Sequence, residues 1–460
     1  MIIARMLALL LLVCLAAASV AVSAAPSPAA DLTTEGYVLR LVQATRTAWP
    51  ELARYHQTTR VFARIQLLAS DGRRAWVMDA QGGHEVEMAK VRDLGVSYEY
   101  QRYRKLLWRG RPAIFIGLGE APPASELQRL KDPLAVPELF SLATHEAFHF
   151  YVEADWLPLP GAERSISYPA SAEPRLYRNR IIHQLLAAVQ GRSEGLAQAS
   201  YWYRRWLDEH AEEVQRLRQT DRSEGSARHV ESIANLLARG LRPDSAEGAQ
   251  LMLEALAHQA QTDFLAADLE SYVLGDLAGY LLERQGVDWL ARMAQGETPL
   301  AMLLESVTPV AAPADEAMER RIRKAIAAAN RQAAQAFEPF LQRFHDPAGG
   351  HLLVPNRAMS GSFEVSNSYR LTTQPGTIEV GVSAGFALGD GRIDLRAATV
   401  ATQLKSACGR EDLYWIVALA PAELEKTAEG RLRLERADLT LDIPYPQRSV
   451  EAPRSWCVAT

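Results

Sequence analysis

The chain has 460 residues, 48% of them apolar and 23% charged, with a net charge of −5. That is the make-up of an ordinary soluble globular protein with room for two or three domains. The small net charge and the lack of a basic stripe with interleaved aromatics exclude nucleic acid as an expected partner.

The N-terminus reads as a secretory signal. Arg5 is the positive region, Met6 to Ala18 an apolar core, and Val22-Ser23-Ala24 a small-residue cleavage site. Residues 1–24 are therefore expected to be removed, and the protein to be exported, periplasmic or secreted. The apolar stretch falls short of the roughly 20 residues that a membrane span needs. A membrane association is expected only if this segment stays uncleaved. Cys14 sits in the apolar core, and Leu11-Leu12-Val13-Cys14 is a faint lipoprotein box with Val13 where a small residue is wanted. Cys408 and Cys457 remain after cleavage, and in an oxidising compartment they are expected to pair.

Residues 25 to 33 read as a loose Ala- and Pro-rich linker. Apolar residues at helical spacing predict a helix over Gly36 to Tyr55, disturbed by Pro50. Val61 to Leu68 and Arg74 to Met78 read as short strands, Val96 to Leu107 is ambiguous, and Pro112 to Gly119 reads as a buried strand ending in a Gly-rich turn. A helix is expected from about Pro137, which suits a first-turn position, to about Ala154. Trp156 to Pro174 carries Pro158, Pro160, Pro169 and Pro174 and is expected to be an irregular loop bordering a cleft. Helices follow at Leu176–Val189, Glu194–Leu217, Glu224–Arg239, Ala246–His258, Leu269–Gln285 and Trp289–Met293, with a further long one over Pro313 to Phe344. Beyond Pro347-Ala348-Gly349-Gly350 the pattern changes to alternation, at Ser362–Leu371, Thr377–Val382, Arg392–Gln403, Leu413–Leu419 and Arg431–Ile443. That is a β-rich module over 347–460, a small sandwich or barrel.

The chemistry lies in the predicted helix that starts near Pro137. His145-Glu146-Ala147-Phe148-His149 is an H-E-x-x-H pattern. On a helix, positions i and i+4 share one face, so both imidazoles reach one metal ion. Glu146 sits one residue round, within reach of a water on that metal. Catalytic zinc takes three protein ligands and keeps one position open, so a third ligand is needed. Val152 and Asp155 stand where one zinc-peptidase pattern has Gly and a third ligand, and without Gly no turn brings residue 155 back. Glu173 lies 24 residues after His149, in the Pro-rich loop. Ser193-Glu194-Gly195-Leu196-Ala197 and Ser223-Glu224-Gly225-Ser226-Ala227 each put a Glu at a predicted helix start, with Gly after it to allow close approach to the metal helix.

The second of these continues Arg228-His229-Val230-Glu231, and here the chain resembles the gluzincin metallopeptidases. The likeness is to exported bacterial members with H-E-x-x-H and a distant E-G-x-A-x-Y-V-E segment. It covers residues 140 to 295. Together with the strands and helices read above, it gives the expected α+β fold: a zincin-like, mainly helical catalytic domain over 25–346 with a small N-terminal sheet, then the β-rich module. The N-terminal strands and that module lie outside the likeness. The resemblance implies a Zn2+ cofactor held by His145, His149 and Glu224, which lies 75 positions after His149. Glu194 stays open as the alternative ligand. His229 stands where Tyr is usual, which leaves open whether it touches substrate or the metal's surroundings. Glu231 is placed to orient a ligand histidine. The likeness extends to Tyr272-Val273-Leu274-Gly275, where Tyr272 would donate to an oxyanion. The expected function is a zinc-dependent hydrolase, a peptidase, with Glu146 as general base and a peptide or protein as substrate. The rival is a non-catalytic zinc-containing binding or envelope assembly protein on the same scaffold.

Overall fold

A computed structural model describes residues 33–159, 165–260, 263–371, 376–452 and 454–458. The signal segment and most of the linker lie outside the described residues. The architecture is α+β, with a small N-terminal sheet, a helical middle and a strand-rich C-terminal region.

Helix α1 (Thr34–Tyr55) is capped by Thr33, whose side chain accepts from the Gly36 amide. It buries Tyr37, Val38, Leu41, Trp49 and Leu52. Strands β1 (Gln66–Ser70), β2 (Ala75–Asp79), β3 (Gly82–Val86), β4 (Tyr103–Trp108) and β5 (Arg111–Gly117) form a sheet in the order β3-β2-β1-β5-β4. The β1–β5 pair is parallel and the rest antiparallel. The strand expected over Val61 to Leu68 is displaced. A 3-10 turn occupies Thr58–Ala63 instead. The Thr59 hydroxyl donates to the Leu52 and His56 carbonyls at the end of α1, and Phe62 packs edge-on to Trp49. Closing the helix end thus outweighs the β preference of Val61 and Phe62.

Short helices α2 (Met88–Arg92) and α3 (Ala124–Arg129) precede α4 (Glu138–Tyr151), which carries the pentapeptide. Pro137 caps α4 rather than entering its first turn, and a 3-10 turn at Glu153–Asp155 replaces its last expected turn. The Pro-rich loop is not wholly irregular. It contains β6 (Ile166–Tyr168), too short for alternation to show, and ends in α5 (Ala172–Val189).

The middle continues with α6 (Gly195–Glu209), α7 (Ala211–Ala238), α8 (Ala246–Gln259), α9 (Ala267–Arg284), α10 (Trp289–Ala294), α11 (Pro299–Leu304) and α12 (Glu316–His345). The helix expected over Glu194 to Leu217 breaks at His210, and α7 then runs unbroken through Ser223, Glu224 and Gly225. The corner is held by Trp206 Nε1, which donates to Glu213 Oε1 at 2.9 Å, and by the Arg175–Glu213 ion pair. Ser223 and Glu224 are therefore mid-helix residues, not caps. A mid-helix glycine costs about 1 kcal/mol relative to alanine. Here Gly225 lies against Gly275 of α9. A Cβ on Gly275 would stand 2.1 Å from the Gly225 Cα. The glycine allows close approach to α9, and not to the metal helix.

The C-terminal strands are β7 (Gly350–Pro355), β8 (Met359–Glu364), β9 (Asn367–Leu371), β10 (Thr377–Leu388), β11 (Gly391–Ala407), β12 (Arg410–Leu419), β13 (Arg431–Glu435), β14 (Leu439–Pro444), β15 (Gln447–Arg448) and β16 (Ser455–Cys457). Their main path is β15-β16-β7-β12-β11-β10-β9-β6, with the β13–β14 hairpin on β11 and β8 on β10. The helical part thus lends β6 to this sheet, parallel to β9. Along β12, Trp415 and Val417 face one cluster and Tyr414 and Ile416 another. Phe337 and Phe340 of α12 pack with Leu371, Ile378 and Ala418. Cys408 and Cys457 form the expected disulfide.

Candidate metal centre

Helix α4 turns Leu139, Phe140, Ala143, Ala147 and Phe148 into the core. This leaves His145 and His149 on the side that faces α7. Thr144, next to His145, accepts from Trp49 Nε1 at 2.9 Å, which braces the metal helix against α1. The Gly225–Gly275 contact seats α7 against α9 one residue from Glu224.

Three donor atoms converge. His145 Nε2 lies 3.0 Å from His149 Nε2 and 3.2 Å from Glu224 Oε2, and His149 Nε2 lies 3.5 Å from the same oxygen. Ligand atoms about 2.0–2.1 Å from a tetrahedral zinc stand about 3.3 Å from one another. The spacing of the donors fits zinc, as does their chemistry.

Each imidazole meets a carboxylate on its other nitrogen. Glu231 Oε2 is 3.2 Å from His145 Nδ1, off the line of an ideal hydrogen bond, and Glu153 Oε2 is 3.2 Å from His149 Nδ1. The Ser223 hydroxyl donates to Glu153 at 2.6 Å and lies 3.3 Å from His149 Nδ1. Such partners fix the ring orientation and raise the basicity of metal-binding histidines. Burial pushes the His149 pKa down, but Glu153 and Glu224 outweigh it and raise it to about 10. His145 is raised in the same way, by Glu224 and Glu231 against burial. The cluster calls for positive charge. A divalent cation held by the three converging atoms would answer that demand with both imidazoles neutral.

Glu146 stands beside the cluster in an open cleft of about 650 Å³, lined also by Tyr103, Arg228, Glu231 and Tyr272. Burial raises the Glu146 carboxyl above its ordinary value, against the pull of both histidines, and the Tyr103 side chain hydrogen-bonds it. The Tyr272 ring lies 5.7 Å from the His145 ring. Tyr103 is on β4, the edge strand of the N-terminal sheet.

The other weighed residues lie elsewhere. Glu194 is an exposed N-cap of α6 that accepts from Gln198 Nε2 at 3.0 Å. Glu173 is bonded to Ser171 and Arg323, which hold its carboxyl down at about 2. Asp155 is exposed in its 3-10 turn. His229 is fully buried between Asp276 and Glu283, at 2.9 and 3.2 Å, and touches neither cleft nor metal ligands. Gly279 makes room for it, since a Cβ there would stand 2.6 Å from His229 Cγ. Sequence reasoning missed Glu153, Ser223 and Tyr103. Glu153 had a signal: it is four residues after His149, on the same helical face.

Comparison with protein-family profiles, curated proteins and solved structures gives no match for this chain.

Proposed function

We propose that the protein is a zinc-dependent hydrolase that cleaves peptide bonds, built on a gluzincin-type site. The carrying observation is the convergence of His145 Nε2, His149 Nε2 and Glu224 Oε2 at zinc spacing beside Glu146, in an open cleft. His145, His149 and Glu224 hold the metal. Zinc bound there polarises a carbonyl and lowers the pKa of a water molecule. Glu153 and Glu231 orient the two imidazoles. Glu146, its carboxyl raised by burial, accepts a proton from the attacking water and returns it to the leaving amine nitrogen. Tyr272 donates to the oxyanion. Edge strand β4 offers backbone groups to an extended peptide. The Cys408–Cys457 disulfide supports the expectation of export to an oxidising compartment.

Metal analysis of the purified protein, with peptide hydrolysis by wild type and Glu146→Gln, tests this reading. One zinc per chain is expected, retained in the variant, with turnover reduced at least about a hundredfold. Protein without zinc, or a variant as active as wild type, overturns it.

A further inference from the structure

The cleft extends away from the metal centre, and its far end carries an unengaged charge. Helices α4 and α7 form its floor and run antiparallel. Glu231 meets His145, and further along Ser141 Oγ donates to Asn235 Oδ1 at 2.9 Å. Beyond them the lining includes Glu138, Arg129 and Arg239. Helical rise puts Glu138 about 10 Å along α4 from His145, and Arg239 about 12 Å along α7 from Glu231. An extended peptide covers that span in about three residues.

The carboxylates of the cleft already have partners. Glu138 accepts from Gln101 Nε2 at 2.7 Å and Tyr100 Oη at 3.3 Å, and Glu231 accepts from Arg228 at 2.5 Å. Arg129 is bonded to Glu126 at 2.6 Å but stays about half exposed. Arg239 is exposed, and its side chain has no ion pair or hydrogen bond among the described residues. The free charge in the cleft is thus a guanidinium, whose planar fork suits a carboxylate.

Resting on the peptidase reading, we propose that this end of the cleft is an acidic subsite. Arg239 takes a substrate carboxylate about three residues from the scissile bond, with Arg129 as the second cation. The carboxylate comes from an Asp or Glu side chain or from a free C-terminus.

The test is binding to zinc-loaded Glu146→Gln protein, which needs no turnover. The probes are acetylated, amidated eight-residue Ala/Gly/Ser peptides with one Glu, Gln or Lys moved through each position, and the parent peptide with a free C-terminal carboxylate. At one position Glu should bind about tenfold tighter than Gln, and Arg239→Glu in the same background should reverse the order in favour of Lys. A preference for the free-acid parent alone supports the subsite and assigns the carboxylate to the chain terminus. The proposal is overturned if all peptides bind within twofold of each other, if none binds, or if Arg239→Glu leaves the ranking intact. A Glu preference that Arg239→Glu reverses, with no cleavage by wild type, would sink the peptidase reading and leave the subsite standing.

Discussion

The helical and strand-rich regions are held together by different means. Behind the candidate metal site the helices bury charge. Arg178, fully buried, donates to Glu270 at 2.7 Å and to both oxygens of Asp221 at 3.0 and 2.7 Å, and lies over the Trp206 ring. Asp221 is three residues before Glu224, and Glu270 two before Tyr272. The strand-rich region has an apolar core of residues such as Leu352, Phe386, Ile393 and Leu441. Its buried polar side chains among the described residues are Glu379, Thr402 and Ser455. Apolar burial is non-directional and stabilises a sheet without fixing single atoms. Paired charges are directional. They hold α5, α7 and α9 in one register, which a site of three converging donors requires.

The largest expected effect breaks that arrangement. Arg178→Met leaves Asp221 buried without its cation and Glu270 with Arg175 as its cation, and should cost about 3–5 kcal/mol. Hydrogen exchange resolved by peptide should show the loss in α5, α7 and α9, with weaker zinc binding, while β10 to β12 keep their protection. Equal loss in both regions would mean that they unfold as one unit. The converse change is Cys408→Ser with Cys457→Ser. The bridge spans 49 residues, and its removal should cost about 2–4 kcal/mol. Faster exchange is expected in β7, β12 and β16, with zinc affinity unchanged. A fall in zinc affinity would show that the strand-rich region supports the site after all.

A smaller effect separates holding the metal from orienting its ligands. Glu153→Gln keeps the shape of the side chain and removes its charge beside His149. Zinc affinity, measured by competition with a chelator, should fall about 10- to 100-fold. An unchanged affinity would reduce Glu153 to a bystander that bonds Ser223.

These residues also mark how far the sequence could be read. His145, Glu146 and His149 were legible because an i,i+4 pair needs only helical periodicity. The α+β division was legible because the apolar period changes near Gly350. Glu224 was singled out with Glu194 by a Glu-Gly pair and preferred through the gluzincin resemblance, but the local reason for the glycine is one that the structure replaces. The segment looked like a helix start because glycine weakens a helix, and the compensation is the approach of Gly275, fifty residues away (275 − 225). His229 was left open as a residue touching substrate or the metal's surroundings, because it stands where the resembling segment has Tyr; its partners Asp276 and Glu283 come from α9, and only the tertiary packing brings them together. The turn at Thr58–Ala63 and the strand at Ile166–Tyr168 were hidden because their hydrogen bonds run to other elements. Arg239 gave no sequence signal, since it is the free member of a charge set assembled from several elements.

The subtlest form of the comparison is its pH dependence, because the helical region holds a fully buried histidine and the strand-rich region a half-buried one, and the two shift in opposite directions. At His229 burial opposes the charge, but Glu283 and Asp276 outweigh it and raise the pKa from 6.5 to about 10. Its contribution to stability is therefore full below 6.5, declines as pH rises, and is gone above about 10. At His351 burial dominates. Burial, with Arg454 nearby, lowers the pKa from 6.5 and outweighs the bond that Nε2 donates to the Phe344 carbonyl, which alone would raise it. Its contribution is full above 6.5 and is lost as pH falls through the lowered value. One group changes stability by at most about 1.4 kcal/mol per pH unit, so each effect is modest. Measured as protection relative to the intrinsic exchange rate at each pH, α7 and α9 should lose protection when pH is raised from 7 to 9, and the surroundings of β7 when it is lowered from 7 to 5. His229→Gln should remove the first dependence and leave the second. If one pH change loosens both regions equally, the contrast between the carboxylate-paired His229 and the half-buried His351 does not govern their stability.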